Sequence, residues 1–238
     1  GTMGGRTALD SFTAKEESGA AGYSALNLND VKNIAYGKIQ FNSKYGNFQK
    51  VIQKYLDTGD KSSANYQKIA SAKDAIMSNN VAAMRGDKDL QAALKGAGKE
   101  QAMQDAQNSV ASTEYGGKAN ELMKRIRAKS VAASQVLFDN AVQGKADKVV
   151  SQTTKQLGGV IGDVGADGNV ITEKKYLDTA VEVRRKELLG SNKQAAASAN
   201  PRMDKLKKIA NDEGLLNLQY DPKAQDAKRD ANGNLVTV

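Results

Sequence analysis

The residues that could do chemistry here are few, because the 238-residue chain contains no cysteine and no histidine. Cysteine nucleophiles, disulfide scaffolds, Ser-His-Asp triads and the usual zinc and non-haem iron ligand sets are thereby excluded. Carboxylates, hydroxyls, amides, Lys, Arg and the backbone are what is left. The most informative stretch lies near the N-terminus. Leu9-Asp10-Ser11-Phe12-Thr13-Ala14-Lys15-Glu16-Glu17-Ser18-Gly19 reads as a helix that ends on a carboxylate and a glycine break. A loop from Gly22 to Asp30 follows, and then Ala35-Tyr36-Gly37-Lys38-Ile39-Gln40-Phe41-Asn42. A glutamate at a helix end beside a glycine can face a cleft, and partial desolvation suits it to general-acid work near neutral pH. Gly37 lets backbone approach a ligand closely. Gln40 offers a donor and an acceptor to a sugar amide or hydroxyl. On residue chemistry alone, a solvated surface glutamate is the commoner outcome of such a pattern.

Other candidates are weaker. Asp163-x-Gly165-x-Asp167-Gly168-Asn169 has the look of a calcium loop, but Gly165 fills its third place and Lys174 its twelfth, so a turn is expected. Gly96-x-Gly98-Lys99 lacks the spacing of a phosphate-binding loop. Lys124-Arg125-Ile126-Arg127 and Lys205, Lys207 and Lys208 read as solvated helix faces. They lack the interleaved aromatics of single-strand binders, and only 5% of the residues are aromatic. Nucleic acid is therefore not the expected partner, and no metal or cofactor is expected.

The elements that must position these residues are mostly helical. Proline occurs only at Pro201 and Pro222, and Ala, Lys and Gln are abundant. Apolar residues recur at helical spacing in Phe48, Val51, Ile52, Tyr55 and Leu56, ending at Gly59. The same spacing appears in Tyr66, Ile69, Ala70 and Ile76. It continues from about Lys99 to Lys129, with a break expected at Gly116-Gly117. Further helices carry Val131, Leu137, Phe138 and Val142, and then Tyr176, Leu177, Ala180, Val181, Arg184 and Leu188, entered through Thr172 as N-cap. A last one follows Asn200, with Pro201 in its first turn. A small hairpin is expected near Asp30 to Gln40 or at Asp167-Gly168.

Lys+Arg total 35 against 27 Asp+Glu, a net charge of +8, which draws the chain to polyanions such as nucleic acid, anionic membrane or bacterial cell wall. No apolar run approaches the ~20 residues a membrane helix needs. The N-terminus has no apolar stretch that would read as a signal peptide.

Taken in order, Glu17-Ser18-Gly19, an acidic loop, and Tyr36-Gly37-x-x-Gln40 resemble the active-site region of the lysozyme-like superfamily. Its lytic transglycosylases and goose-type lysozymes carry a Glu-Ser pair and then a Gly-Leu-Met-Gln element, here Gly37-Lys38-Ile39-Gln40. The chitosanase-like branch, and the peptidoglycan hydrolases of phages and type VI secretion effectors, resemble it further. They have a Glu-Ser-Gly-Gly-like start and a Ser-Tyr-Gly-x-Tyr-Gln-like element, here Ala35-Tyr36-Gly37-Lys38-Ile39-Gln40. The resemblance implies a mainly α, lysozyme-like, two-lobed helical fold with a substrate cleft and a small β-hairpin. It implies that Glu17, in preference to Glu16, is the general acid, and that Asp30 is the second carboxylate, which places a water. Tyr36, Gly37, Gln40 and Asn42 would form the substrate wall, with Tyr36 either stacking on a sugar or lying in the core. Asp30 sits in a loop less glycine-rich than the branch's own. Glu17 acting alone, as in lytic transglycosylases, is therefore kept as an alternative. The implied activity is hydrolysis of the β-1,4 glycan of peptidoglycan. Chitosan, a polycation, is a poorer match to a basic protein. Alternatives are a chitosanase and a non-catalytic helical module of a phage or secretion apparatus. The implied partners are the glycan strand and an immunity or inhibitor protein, or a virion or secretion component. The implied place of action is the bacterial cell wall, after delivery or secretion from the cytoplasm. By this reading residues 1–5 are a cloning remnant, 6–213 the catalytic domain and 214–238 a polar tail.

Overall fold

The computed structural model describes residues 3–4, 7–191, 193–223, 227–229, 231–232 and 234–237. Of these, 3–4, 7–11, 14, 191, 193–199, 227–229 and 235–237 are described by their backbone alone. Two compact units emerge: residues 13–114, and residues 115–238 together with the first twelve. The fold is mainly helical, with small β elements, as the residue pattern predicts.

Strand β1 (Met3–Gly4) leads into helix α1 (Thr7–Ser18), through which the chain enters the 13–114 unit. Gly19, in the left-handed region at φ 59°, ends α1 and starts a 3-10 segment to Ser24. An antiparallel sheet of three two-residue strands follows: β2 (Leu26–Asn27), β3 (Ala35–Tyr36) and β4 (Phe41–Asn42). Leu26 lies opposite Tyr36, and Tyr36 opposite Phe41. Helices α2 (Asn47–Thr58), α3 (Ala64–Ser71), α4 (Lys73–Met77), α5 (Val81–Gly86), α6 (Lys88–Ala97) and α7 (Gln101–Val110) complete the unit. α2 buries Phe48, Val51, Ile52, Tyr55 and Leu56, the face its spacing predicts. Each large apolar side chain buried this way contributes about 1.5–3 kcal/mol.

The expected break at Gly116-Gly117 does not occur. The backbone runs on through a π-helical stretch, Ala111–Gly116, into α8 (Gly117–Ile126), and the stop is Arg127 at φ 61°. Glycine weakens a helix by only about 1 kcal/mol, which the burial of Ala119, Leu122, Met123 and Ile126 outweighs. In the other unit α9 (Val131–Val142) is buried from Val131 to Ala141. It packs against α8, α10 (Ala146–Leu157), α11 (Glu173–Ser191), α12 (Lys193–Ala210) and α13 (Glu213–Asn217). Thr172 does cap α11, its hydroxyl accepting from the Lys175 N–H at 3.1 Å. Pro201 lies inside α12 and not in its first turn, because α12 begins earlier, in an Ala-rich stretch with no apolar stripe to mark it.

Arg184 sits on the apolar stripe of α11 because it is needed inside. Asp139 of α9, fully buried, accepts from Arg184 at 2.8 Å and from Arg202 of α12 at 2.6 Å. Arg184 donates as well to Asn140, at 2.8 Å, and to Gln143. Burial would push the Asp139 carboxyl up, but the charges of Arg184 and then Arg202 hold it below the ordinary value.

The stretch expected to begin the polar tail holds two buried leucines and a short strand. Leu215 and Leu218 are buried, Asp212 caps α13 through the Leu215 N–H, and β5 (Gln219–Tyr220) pairs in parallel with Met3–Gly4. A hairpin of β6 (Ala227–Arg229) and β7 (Leu235–Thr237) follows. The first two residues and the fifth lie outside the described residues. Among the described residues, no helix is long and apolar enough to cross a membrane.

Candidate active site

A groove of about 300 Å³ opens in the 13–114 unit at the end of α1. Glu17, Ser18, the run Ala25 to Asn29 and Gln40 line it. The fold brings these together by local means. Gly19 stops the helix right after Glu17-Ser18, and Gly22 takes φ 55°, ψ −124°, a conformation open to glycine almost alone. The reversal sends the chain back along β2, past the hairpin that carries Gln40. Glu17, and not its neighbour Glu16, is among the lining residues. It is also the only charged one; Asn27, Asn29 and Gln40 supply amides, and Ala25, Leu26 and Leu28 apolar surface.

Gln40 is more committed than its sequence suggests. Its backbone is left-handed at φ 56°, a strained state for a residue other than glycine. Its Nε2 donates to the Gly37 carbonyl at 3.0 Å and points at the Ala25 carbonyl at 3.5 Å. Two carbonyls can face only the NH₂ end of an amide, so the orientation is chemically fixed. Oε1 is thus the end of the Gln40 amide that these two carbonyls leave to accept, and the residue lines the groove. The expected donor is spent inside the hairpin.

The hairpin is held by a residue that sequence reasoning missed. Gln107 of α7 is fully buried. Its Oε1 accepts from the Lys38 N–H at 2.9 Å, and its Nε2 donates to the Tyr23 carbonyl at 2.9 Å. The clue is an amide on the apolar face between Met103 and Val110. Gly37 is glycine for two reasons: its φ is 88°, and a Cβ there would stand 2.4 Å from the Gln107 Oε1. Its closeness serves packing, because the partner is Gln107.

The three other residues of the expected substrate wall are not among those lining the groove. Of the two places expected for Tyr36 it takes the core: it is fully buried, donates to the Leu94 carbonyl at 2.6 Å and meets Phe48 edge-on at 5.9 Å. Burial pushes its phenol up. It faces the core because β3 has only two residues and Tyr36 is the inward one. Gly37 is buried, and its N–H is taken by the Ala25 carbonyl at 2.8 Å. Asn42 caps the 3-10 turn Ser43–Tyr45, accepting from the Lys44 N–H at 2.7 Å, and does not line the groove.

Asp30 lies just beyond the wall, next in chain to Asn29, and is exposed. One oxygen accepts from the Lys32 N–H at 2.8 Å and the other from the Asn33 side-chain amide at 3.4 Å. These two bonds, the Lys32 one first, hold its carboxyl below the ordinary value, so it is an anion at neutral pH.

The glycine-rich stretch 158–170 is a turn, as expected. Val164 and Val170 form an antiparallel bridge, and Asp163 accepts from the Val160 N–H at 2.9 Å and pairs with Arg127 at 3.0 Å. Among the described residues no group of acidic side chains is arranged to hold a metal ion.

No family model matches the chain, and no curated protein sequence matches it. Solved structures do. The GH46 chitosanase of Gynuella sunshinyii, in complex with chitotetraose, superposes with a TM-score of 0.70 at 17% identity. That match covers 98% of this chain and 96% of the other. The native chitosanase of Bacillus subtilis MY002 gives a TM-score of 0.63 at 15% identity, with both chains covered in full. The chain thus has the lysozyme-like fold of the GH46 chitosanases at 15–17% sequence identity.

Proposed function

We propose that this protein is a glycoside hydrolase that cleaves β-1,4 bonds in the glycan of peptidoglycan, with Glu17 as its general acid. The observation that carries this reading is the groove itself. Its one charged wall residue is a glutamate at a helix end, and a glutamine acceptor shares the wall. The fold neighbours support a glycan substrate, since two chitosanases of the same fold are known, one of them with chitotetraose bound.

In this reading Glu17 protonates the glycosidic oxygen while positive charge develops at C1. Asp30, ionised and exposed, activates the water that attacks the opposite face. The two carboxyls then work about 6.5–9.5 Å apart, and the configuration inverts. The walls favour an N-acetylated glycan over chitosan. Amides pair with acetamido and hydroxyl groups, whereas a polyammonium chain calls for several carboxylates, and the +8 protein would repel it. The protein would then act at the bacterial wall after delivery or secretion, and an immunity protein or a virion or secretion component would be its macromolecular partner.

The test is a parallel digest of purified peptidoglycan and of chitosan, with products identified by mass spectrometry. Reducing-end muropeptides from peptidoglycan, with no chitosan oligomers, are the expected result. Chitosan oligomers alone would move the substrate to that of the fold neighbours. Anhydro-muropeptides would mean that Glu17 works without Asp30.

A further inference from the structure

We propose that Arg85 is a positioning residue for the acid loop, setting where Asp30 stands by gripping the main chain on either side of Asn29; this rests on the hydrolase reading above. The loop from Leu28 to Asn33 links β2 to β3 without regular structure, so nothing in the sheet ladder fixes it. The Nη2 of Arg85, at the end of α5, donates to the Leu28 carbonyl and, at 2.7 Å, to the Asp30 carbonyl. A second anchor holds the far end. Asn79, in the turn between α4 and α5, donates through Nδ2 to the Lys32 carbonyl at 3.4 Å and to Asn33 Oδ1 at 3.3 Å. The Asn33 amide so oriented then donates to Asp30 Oδ2.

The division of labour is what points to function. A guanidinium beside a carboxylate ordinarily pairs with it and neutralises it. Here the guanidinium is spent on two neutral carbonyls, and its Nε is buried without a partner. The carboxylate is oriented by amides alone. The loop is thus rigid while Asp30 stays anionic and open to solvent, which is what activating a water requires and what an ion pair would spoil. Holding a base in place through its backbone is a proximity effect, and a misplacement of about 1 Å can cost 10²-fold in rate.

The experiment compares wild type, Arg85→Met and Arg85→Lys by steady-state kinetics on a soluble glycan fragment of peptidoglycan, and by amide hydrogen exchange over residues 28–33. Arg85→Met should lower kcat by about 10²-fold with KM within about two-fold, and should speed exchange in 28–33 but not in α2. Arg85→Lys, which keeps one donor on a flexible stem, should recover part of kcat. Asn79→Gly, which removes the second anchor at a left-handed position that glycine tolerates, should give a smaller loss of the same kind. Unchanged exchange in Arg85→Met overturns the proposal whatever the activity. Faster exchange with kcat intact overturns it too, since Asp30 would then not depend on its loop. A wild type inactive on every glycan, with exchange still faster in Arg85→Met, sinks the hydrolase reading and leaves the grip standing.

Discussion

Asp30 and Asp139 are the same residue type handled in opposite ways. Asp139 is fully buried between two guanidinium groups, with both oxygens charge-paired. Asp30 is exposed; an N–H and an amide hold it, and the nearby arginine binds its loop's carbonyls instead. Both carboxyls are held below the ordinary value, yet for different causes: arginine charge overcoming burial at Asp139, hydrogen bonds within the loop at Asp30. A carboxylate that ties helices together is neutralised in place. Asp30, the base of the proposed mechanism, is oriented without being neutralised.

The contrast breaks most visibly under substitution. Asp139→Asn leaves two guanidinium groups facing each other without their shared counter-charge. It should cost about 3–5 kcal/mol of folding stability, read as a lower urea midpoint. Its pH signature follows from the direction of the shift. The folded carboxyl binds its proton less tightly than the unfolded one, so the contribution is complete above the unfolded value near ~3.9. It is lost as pH falls through the lower folded value. The wild type should therefore lose stability in acid below about pH 4, and Asp139→Asn should show a flatter acid limb over that range.

Asp30→Asn should do the reverse, with the melting temperature unchanged and kcat lower by about 10²–10⁴-fold. A fall in stability, or no fall in rate, would erase the contrast and favour an enzyme working with Glu17 alone. Gly37→Ala sharpens it from another side. The methyl group must enter Gln107 at a left-handed backbone, so about 2–4 kcal/mol should be lost, measured by chemical denaturation. The smallest effect is expected for Tyr36→Phe. Losing one buried hydrogen bond to the Leu94 carbonyl should cost about 1–2 kcal/mol while leaving KM unaltered. A large rise in KM would return Tyr36 to the substrate wall.

Much of the fold is legible in the sequence wherever apolar residues alone decide an element. The face of α2 and the Thr172 cap of α11 follow from spacing and from one hydroxyl. α6 is not among the elements predicted above, although its buried Leu90, Ala93, Leu94 and Ala97 recur at i, i+3, i+4 and i+7, the spacing of a helix face. α10, with Ala146, Val149, Val150 and Thr153 inward at the same spacing, is likewise not among them. At the site, Glu17 and Gln40 are legible from their order along the chain, and the groove lies against both. The amides and guanidinium groups that support the site are not. What Gln107, Asn79 and Arg85 do depends on carbonyls 47 to 84 positions away in sequence, and a polar side chain carries no mark of a partner that far off. Arg184 comes closest to an exception, because a charge on an apolar stripe already demands a buried counter-charge.

The central claim is that Glu17 supplies the proton, and one measurement addresses it most directly: digestion of purified peptidoglycan by wild type and by Glu17→Gln at matched folding, with products read by mass spectrometry. The account predicts reducing-end muropeptides from the wild type and none from Glu17→Gln, since the amide fills the same space but has no proton to give. Equal product from both proteins would contradict it and would move the acid away from this groove.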